Sequence, residues 1–267
     1  MRQFRGDGLG REDSNLRMAA PKAAALPLGY ALVPKEDSPF PSVGQGSPVG
    51  GDRVDSGDGR SRRGMPIRGV RMTVLLFFLL GFGLGSLPFA VWVGKIWTKT
   101  DVRARGDGNP GAVNAWRAEG WRVGLLSLVL DVAKGALPVA LARSRGGLGG
   151  WALLPVALAP LLGHAFSPWL AFRGGKAVAS TFGAWSALTY WEVPTVLGLS
   201  FALVRTVQAV DGWTVILSFP VVAVYLILRR AEPWLLAILG ANFALLVWTH
   251  RRELRSPPRW RRRKEPT

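Results

Sequence analysis

TVLLFFLLGFGLGSLPFAVWVG, residues 73–94, is the stretch whose reading decides the fold, because it runs its whole length without an ionisable side chain. About 20 apolar residues in a helix, each rising about 1.5 Å, cross the ~30 Å hydrocarbon core of a bilayer. The chain then turns polar in RGDGNPGAVNAWRAEGW, residues 105–121, and apolar again in VGLLSLVLDVAKGALPVALA, residues 123–142. An apolar run, a basic glycine-rich loop and a second apolar run read as two spanning helices joined at a membrane face. The alternation continues, giving seven apolar segments at 73–94, 123–142, 151–171, 175–190, 191–207, 213–229 and 233–250. The expected fold is all-α, a polytopic membrane protein with seven transmembrane helices. The fourth and fifth segments are short, and their boundary at Tyr190, Trp191 and Glu192 is the least sharply marked.

Composition agrees with this reading. Hydrophobic residues make up 49% of the 267 and fall in runs separated by short basic loops, so a single soluble domain is the weaker reading. The excess of 34 Lys+Arg over 17 Asp+Glu is compatible with nucleic acid, an anionic membrane surface or an acidic substrate. Position decides among them: the cations crowd into segments between apolar runs, and no nucleic-acid module accompanies them. One face collects Lys95, Lys99, Arg103, Arg105, Arg117, Arg122, Arg173, Lys176, Arg205 and the run from Arg251 to Lys264, which makes it cytoplasmic. The other face holds Arg143, Arg145, Arg229 and Arg230, with Arg68 and Arg71 as the topological conflict. The absence of cysteine excludes thiol catalysis, disulfides and Cys-ligated metal.

The expected organisation is a disordered extension over 1–71, a membrane domain over 72–255 and a basic cytoplasmic tail over 256–267. Translation from Met65 or Met72 would remove most of the extension. Within the first span, Gly81 and Gly85 stand one turn apart, a spacing that lets a neighbouring helix approach closely.

Four features could carry chemistry. Gly106, Gly108 and Gly111 match G-x-G-x-x-G but lack the preceding strand of a dinucleotide site. Their free N–H groups, with Asn109, Asn114, Arg105 and Arg117, would form a phosphate cradle; the alternative is an ordinary turn with snorkelling arginines. Asp131 and Lys134 share a helix face inside the second apolar segment, as a functional pair or as an ion pair joining helices. GHAFSPWLAFRGGKAVAS, residues 163–180, places Gly174, Gly175 and Lys176 ahead of a helix, where unpaired N–H groups, a favourable dipole and a cation suit phosphate. It is not a Walker sequence. THRRE, residues 249–253, closes the last span with His250. Basic, glycine-rich anion sites gathered at one membrane face suggest a polar phosphorylated ligand meeting a lipid.

GSLPF (85–89), GDGNPGAVNAWRAEG (106–120), LDVAKGALP (130–138), GHAFSPWLAFRGGKAVAS (163–180) and THRRE (249–253), in this order, resemble the bacterial acyl-phosphate:glycerol-3-phosphate acyltransferase family, the PlsY family. The resemblance covers about residues 72–255. It implies a seven-helix enzyme of phospholipid biosynthesis in the bacterial inner membrane, with its active site on the cytoplasmic side. The reaction implied moves a fatty acyl group from acyl phosphate to the sn-1 hydroxyl of glycerol 3-phosphate, giving lysophosphatidic acid, with no metal, other cofactor or obligate protein partner. Carried over by position, Asn109, Gly111 and Asn114 shape the first substrate loop and Arg117 binds phosphate; Lys134 is the catalytic-pocket lysine. Gly174, Gly175 and Lys176 form the phosphate-binding glycine loop, and His164 and His250 are motif histidines, His250 among the catalytic groups.

Two positions depart from the family pattern. Asp107 stands where a serine is usual, and Glu253 stands where an asparagine is usual and would face the substrate. A carboxylate about 5 Å from a phosphate charge costs about 3 kcal/mol at an effective dielectric near 20. Asp107 could be a general base whose charge Arg105 or Arg117 compensates, the acceptor could be a less anionic alcohol, or the chain could be a divergent paralogue without activity. A non-enzymatic anion transporter is the alternative from another class, although no inverted repeat is evident.

Overall fold

In a computed structural model the described residues are 67–261, and every one of the regular elements is helical. Most of the expected extension, residues 1–66, and the tail beyond 261 lie outside the described residues. Helix α1 (Ile67–Ser86) begins inside the stretch read as extension and carries Arg68 and Arg71 in its first turns. A break at Leu87–Pro88 separates it from α2 (Phe89–Trp97). The chain continues through α3 (Ala112–Glu119), α4 (Trp121–Ser144), α5 (Leu153–Ala165), α6 (Val178–Thr189), α7 (Glu192–Val207), α8 (Asp211–Leu228) and α9 (Pro233–Leu254).

Among the described residues five stretches are long and apolar enough to cross a membrane: Ile67–Trp97, Trp121–Ser144, Gly150–Leu170, Asp211–Leu228 and Pro233–Leu254. The fourth and fifth expected spans are shorter than the sequence suggested. They form α6, of 12 residues, and α7, of 16, or about 18 and 24 Å at the helical rise per residue. The turn between them holds Tyr190 and Trp191 in left-handed conformations. The polytopic all-α architecture therefore stands: among the described residues there are five long helical stretches, with two short helices, α6 and α7, at the fourth and fifth expected spans. Leu75, Leu79, Val129, Leu203 and Ile227 point outward and exposed, which is sustainable only with lipid as the solvent.

The bundle is drawn together by glycines. α1 packs chiefly on α5, and α4 on α6. A Cβ at Gly85 would overlap the Pro160 backbone, and one at Gly183 would overlap the Val132 carbonyl. Gly81 also meets Ala159 and Pro160, so the small residues of the first span are helix-packing positions as read from their spacing.

The break after α1 is stitched rather than loose. Pro88 cannot donate a backbone hydrogen bond, so nearby carbonyls need other partners. Ser167 Oγ donates to the Ser86 carbonyl at 2.6 Å, and Lys134 Nζ donates to the Leu87 carbonyl at 2.8 Å. Deeper in the bundle, Trp185 Nε1 donates to Asn242 Oδ1 at 3.1 Å. Asn242 Nδ2 in turn donates to Thr181 Oγ1, tying α6 to α9.

The tail is fastened as far as it is described. Ala209 N–H donates to the Arg259 carbonyl and Arg261 N–H to the Val207 carbonyl, both at 2.8 Å. The buried Gln208 side chain accepts from Arg259 N–H at 3.1 Å.

Candidate active site

The first loop is built around its own polar groups. Gly106 and Gly108 have φ of +63° and +74°, a left-handed backbone that side chains disfavour. The turn they make places Asp107 beside Asn114 near the start of α3. Asn114, 2% exposed, aims Nδ2 at Asp107 Oδ1 (2.7 Å), the Asn109 carbonyl (3.0 Å) and the Arg105 carbonyl (3.2 Å). Its amide hydrogens are thus spent on the loop. Asn109 N–H donates to Asp107 Oδ1 at 3.2 Å, and Gly111 precedes α3 as its N-cap.

The second loop, 166–177, joins α5 to α6. Gly175 N–H donates to the His164 carbonyl at 3.0 Å and Gly174 N–H to the Ala165 carbonyl at 3.1 Å. The expectation that this glycine pair offers unpaired N–H groups to a phosphate is therefore overturned. The glycines serve a close approach: a Cβ on Gly174 would overlap the His164 carbonyl, and one on Gly175 would overlap its imidazole. His164 is the seat of the turn, with Nδ1 3.4 Å from Ser180 Oγ and 3.8 Å from Asp131 Oδ1.

Lys176 joins three motifs. Its ammonium donates to Asp107 Oδ2 at 2.5 Å and to Glu253 Oε1 on α9, while Thr249 Oγ1 donates to the Lys176 carbonyl at 3.2 Å. Partial burial favours the neutral form of Asp107, but Lys176, Asn109 and Asn114 outweigh it and hold the carboxyl below its ordinary range. Burial likewise works against the Lys176 ammonium, and the bonds to Asp107 and Glu253 overcome it, raising its pKa. The charge compensating Asp107 is that of Lys176, not Arg105 or Arg117 as the sequence suggested.

These groups edge a cavity of about 670 Å³. Of the expected site residues, Asp107, Asn109, Gly174, Gly175, Lys176 and Glu253 line it, and Gly111, Asn114, Arg117, Lys134, His164 and His250 do not. Arg117 instead lies 3.6 Å from Asp211 at the start of α8, where Arg205 also pairs at 2.7 Å. Lys134, expected as a catalytic-pocket lysine, is 5% exposed and faces Asp131 (2.8 Å), the Leu87 carbonyl and the Phe89 ring. It closes the α1–α2 break from inside the bundle, the joining role its spacing had left open. His250 is 2% exposed with Nδ1 2.9 Å from the Leu246 carbonyl. A carbonyl only accepts, so Nδ1 is the nitrogen that donates to it.

The sequence did not single out Arg173, Arg251 and Arg252 as site residues, yet all three line the cavity. Their signal was the basic character of FRGGK and THRRE, segments that supply only Gly174, Gly175, Lys176, His250 and Glu253 to the expected site.

Helices for a bilayer and a basic cavity roofed by two loops and a helix end define a membrane enzyme that handles an anion at the membrane surface. A family profile described as glycerol-3-phosphate acyltransferase matches residues 75–256. The chain is 37% identical over 198 residues to glycerol-3-phosphate acyltransferase 1 of Thermotoga maritima, covering 68% of this chain and 97% of that protein. It is 39% identical over 184 residues to glycerol-3-phosphate acyltransferase 1 of Deinococcus radiodurans, covering 69% of this chain and 91% of that protein. Among solved structures, it is similar to PlsY, an integral membrane glycerol 3-phosphate acyltransferase, in its glycerol 3-phosphate form. The TM-score is 0.63 at 27% identity, covering 68% of this chain and 90% of that one. The lysophosphatidic acid form of PlsY gives a TM-score of 0.61 at 26% identity over the same shares. The chain belongs to the glycerol-3-phosphate acyltransferase family and is an acyltransferase of phospholipid synthesis embedded in a membrane by several passes.

Proposed function

We propose that this protein transfers a fatty acyl group from acyl phosphate to the sn-1 hydroxyl of glycerol 3-phosphate, releasing inorganic phosphate and lysophosphatidic acid. The observation that carries this reading is the meeting of Asp107, Lys176 and Glu253, from three separate motifs, at one basic cavity. The solved relative with glycerol 3-phosphate and lysophosphatidic acid forms supports the choice of acceptor and product.

In the step itself the acceptor oxygen bonds to the acyl carbonyl carbon and the carbon–oxygen bond to phosphate breaks. Asp107, ionised at neutral pH, accepts the hydroxyl hydrogen, and that proton ends on the departing phosphate. Because Lys176 lowers the basicity of Asp107, the carboxylate acts chiefly by orienting the hydroxyl. The basic cavity stabilises the charge developing on the carbonyl oxygen and on the leaving group. No protein nucleophile is needed, since phosphate already departs readily. His250, beside the lining residues Thr249 and Arg251, acts as a positioning residue, and Lys134 holds the α1–α2 break from inside the bundle. The cavity faces the cytoplasm of the bacterial inner membrane, where the cations of the loops at 98–111 and 166–177 and of the α9 end accumulate.

The test is formation of lysophosphatidic acid by the purified full chain from palmitoyl phosphate and glycerol 3-phosphate, beside palmitoyl-CoA as the alternative donor. Product from the acyl phosphate alone is expected. Accumulation of glycerol 3-phosphate in vesicles with no lysolipid would establish a transporter instead.

A further inference from the structure

We propose that the segment after α9 forms, with α7, a seat for an anionic phospholipid. Arg259 and Arg261 take the phosphate of its headgroup, and one acyl chain lies along Leu199, Leu203 and Val207. None of these residues lines the cavity.

The segment is fixed before it meets a ligand. Pro257 and Pro258 keep the chain extended beyond the end of α9. Trp213 Nε1 donates to the Ser256 carbonyl at 2.8 Å. Gln208, 1% exposed, accepts at Oε1 from Arg259 N–H at 3.1 Å and from Val210 N–H at 3.0 Å. With the Ala209–Arg259 and Arg261–Val207 backbone bonds, Trp260 is paired with Gln208 in an antiparallel bridge. Two guanidinium groups are thus carried at the end of α7 on a backbone that a ligand need not order.

Those two cations are available. Asp211, the acidic residue that follows the same turn, is engaged by Arg205 at 2.7 Å and by Arg117 at 3.6 Å. Arg259 and Arg261 are exposed and have no carboxylate within ion-pair distance among the described residues. A guanidinium matches phosphate oxygens in pairs.

The apolar half of the seat meets them at one residue. Leu199, Leu203 and Val207 are exposed, and their spacing of four places them on one face of α7. The stripe rises about 12 Å, close to half of the ~30 Å hydrocarbon core and so to the depth of one leaflet. It ends at Val207, whose carbonyl holds Arg261. Trp260, 73% exposed between the two arginines, is the side chain that favours the headgroup level. A soluble anion would use only the arginines and a neutral lipid only the stripe. A phospholipid with net negative charge satisfies both, and each arginine near an anionic headgroup favours it by roughly fivefold.

Native mass spectrometry of the detergent-purified full chain, offered equal amounts of phosphatidylglycerol and phosphatidylcholine with the same acyl chains, tests this. The unaltered protein is expected to retain phosphatidylglycerol preferentially, and Arg259→Gln with Arg261→Gln should lower that preference at least tenfold. Gln208→Ala keeps every charge and unfastens the segment, so it should lower the preference severalfold, and Leu203→Ala should lower phosphatidylglycerol retention about threefold. Size-exclusion profiles matching the unaltered protein exclude misfolding as the cause. Equal retention of the two lipids by the unaltered protein overturns the proposal, as does a preference that survives loss of both arginines. If Gln208→Ala and Leu203→Ala both leave the preference intact, the arginines act as diffuse basic charge and there is no seat. Displacement of the lipid by millimolar inorganic phosphate would make the site one for a soluble anion. An arginine-dependent dimer without retained lipid would make a second copy of the chain the occupant, and either result defeats the proposal.

Discussion

Lys134 and Lys176 are each held by carboxylate, yet they belong to regions of opposite character. Lys134 sits in the glycine-packed middle of the bundle, where Asp131, a backbone carbonyl and an aromatic ring enclose it. Lys176 sits at the edge of a water-accessible cavity, where both of its carboxylates come from other motifs. A charge enclosed in the middle cannot exchange partners without opening the bundle, whereas one at the edge can trade a carboxylate for a ligand or for water. Intramembrane charge is thus ambiguous by itself, and the enclosure around it decides whether it is structural or available.

The sharpest way to break the comparison is to remove Lys134. Lys134→Ala strands Asp131 in the bundle and frees the Leu87 carbonyl, at an expected cost of about 3–5 kcal/mol. Thermal unfolding in detergent reads this, and Asp131→Asn added to the variant should restore part of the loss. Equal stability of Lys134→Ala and the unaltered protein would place the pair in the exchangeable class. At the cavity edge the expected loss is in turnover. Asp107→Asn keeps shape and hydrogen bonding on one side and should lower kcat about 100-fold with little change in melting temperature. A larger change in stability than in rate would make Asp107 a loop strut only.

Gly183→Ala probes the packed middle without touching a charge. The added methyl meets the Val132 carbonyl, so destabilisation of about 2 kcal/mol is expected, visible as a lower unfolding temperature. The Lys176 bridge makes a pH prediction with a definite sign. The Asp107 pKa is lowered from 3.8, so the pair's contribution is complete above that value and disappears as pH falls through the folded pKa. The Lys176 pKa is raised from 10.5, so its contribution is complete below that value and disappears as pH rises through the folded pKa. Stability should therefore show no step from this bridge between about pH 5 and pH 9, and a step there in the unaltered protein but not in Asp107→Asn would contradict the pairing. The smallest effect is expected at Asp101, whose carboxyl the Arg103 side-chain bond lowers to about 2. It is an exposed pair, so Asp101→Ala should cost less than about 1 kcal/mol, read by the same unfolding assay.

Much was legible in order along the chain. Uncharged runs such as 73–94 announce spanning helices because the bilayer accepts little else. The glycine spacing of Gly81 and Gly85 announces close packing, and the motif order from GSLPF to THRRE announces the family. The sequence alone was less informative about helix length where apolar segments abut, since 175–190 and 191–207 look continuous and only the left-handed residues Tyr190 and Trp191 separate them.

What the tertiary structure decided is which polar groups are spent. Lys176 meets carboxylates 69 and 77 residues away, and Lys134 meets a carbonyl 47 residues away. Hydropathy and spacing are local properties that a bilayer reads segment by segment, so they determine helices. The pairing of one donor with one acceptor depends on how those helices pack, and only that packing shows that the glycine turn is bonded to the end of α5 while the arginines beside it line the cavity.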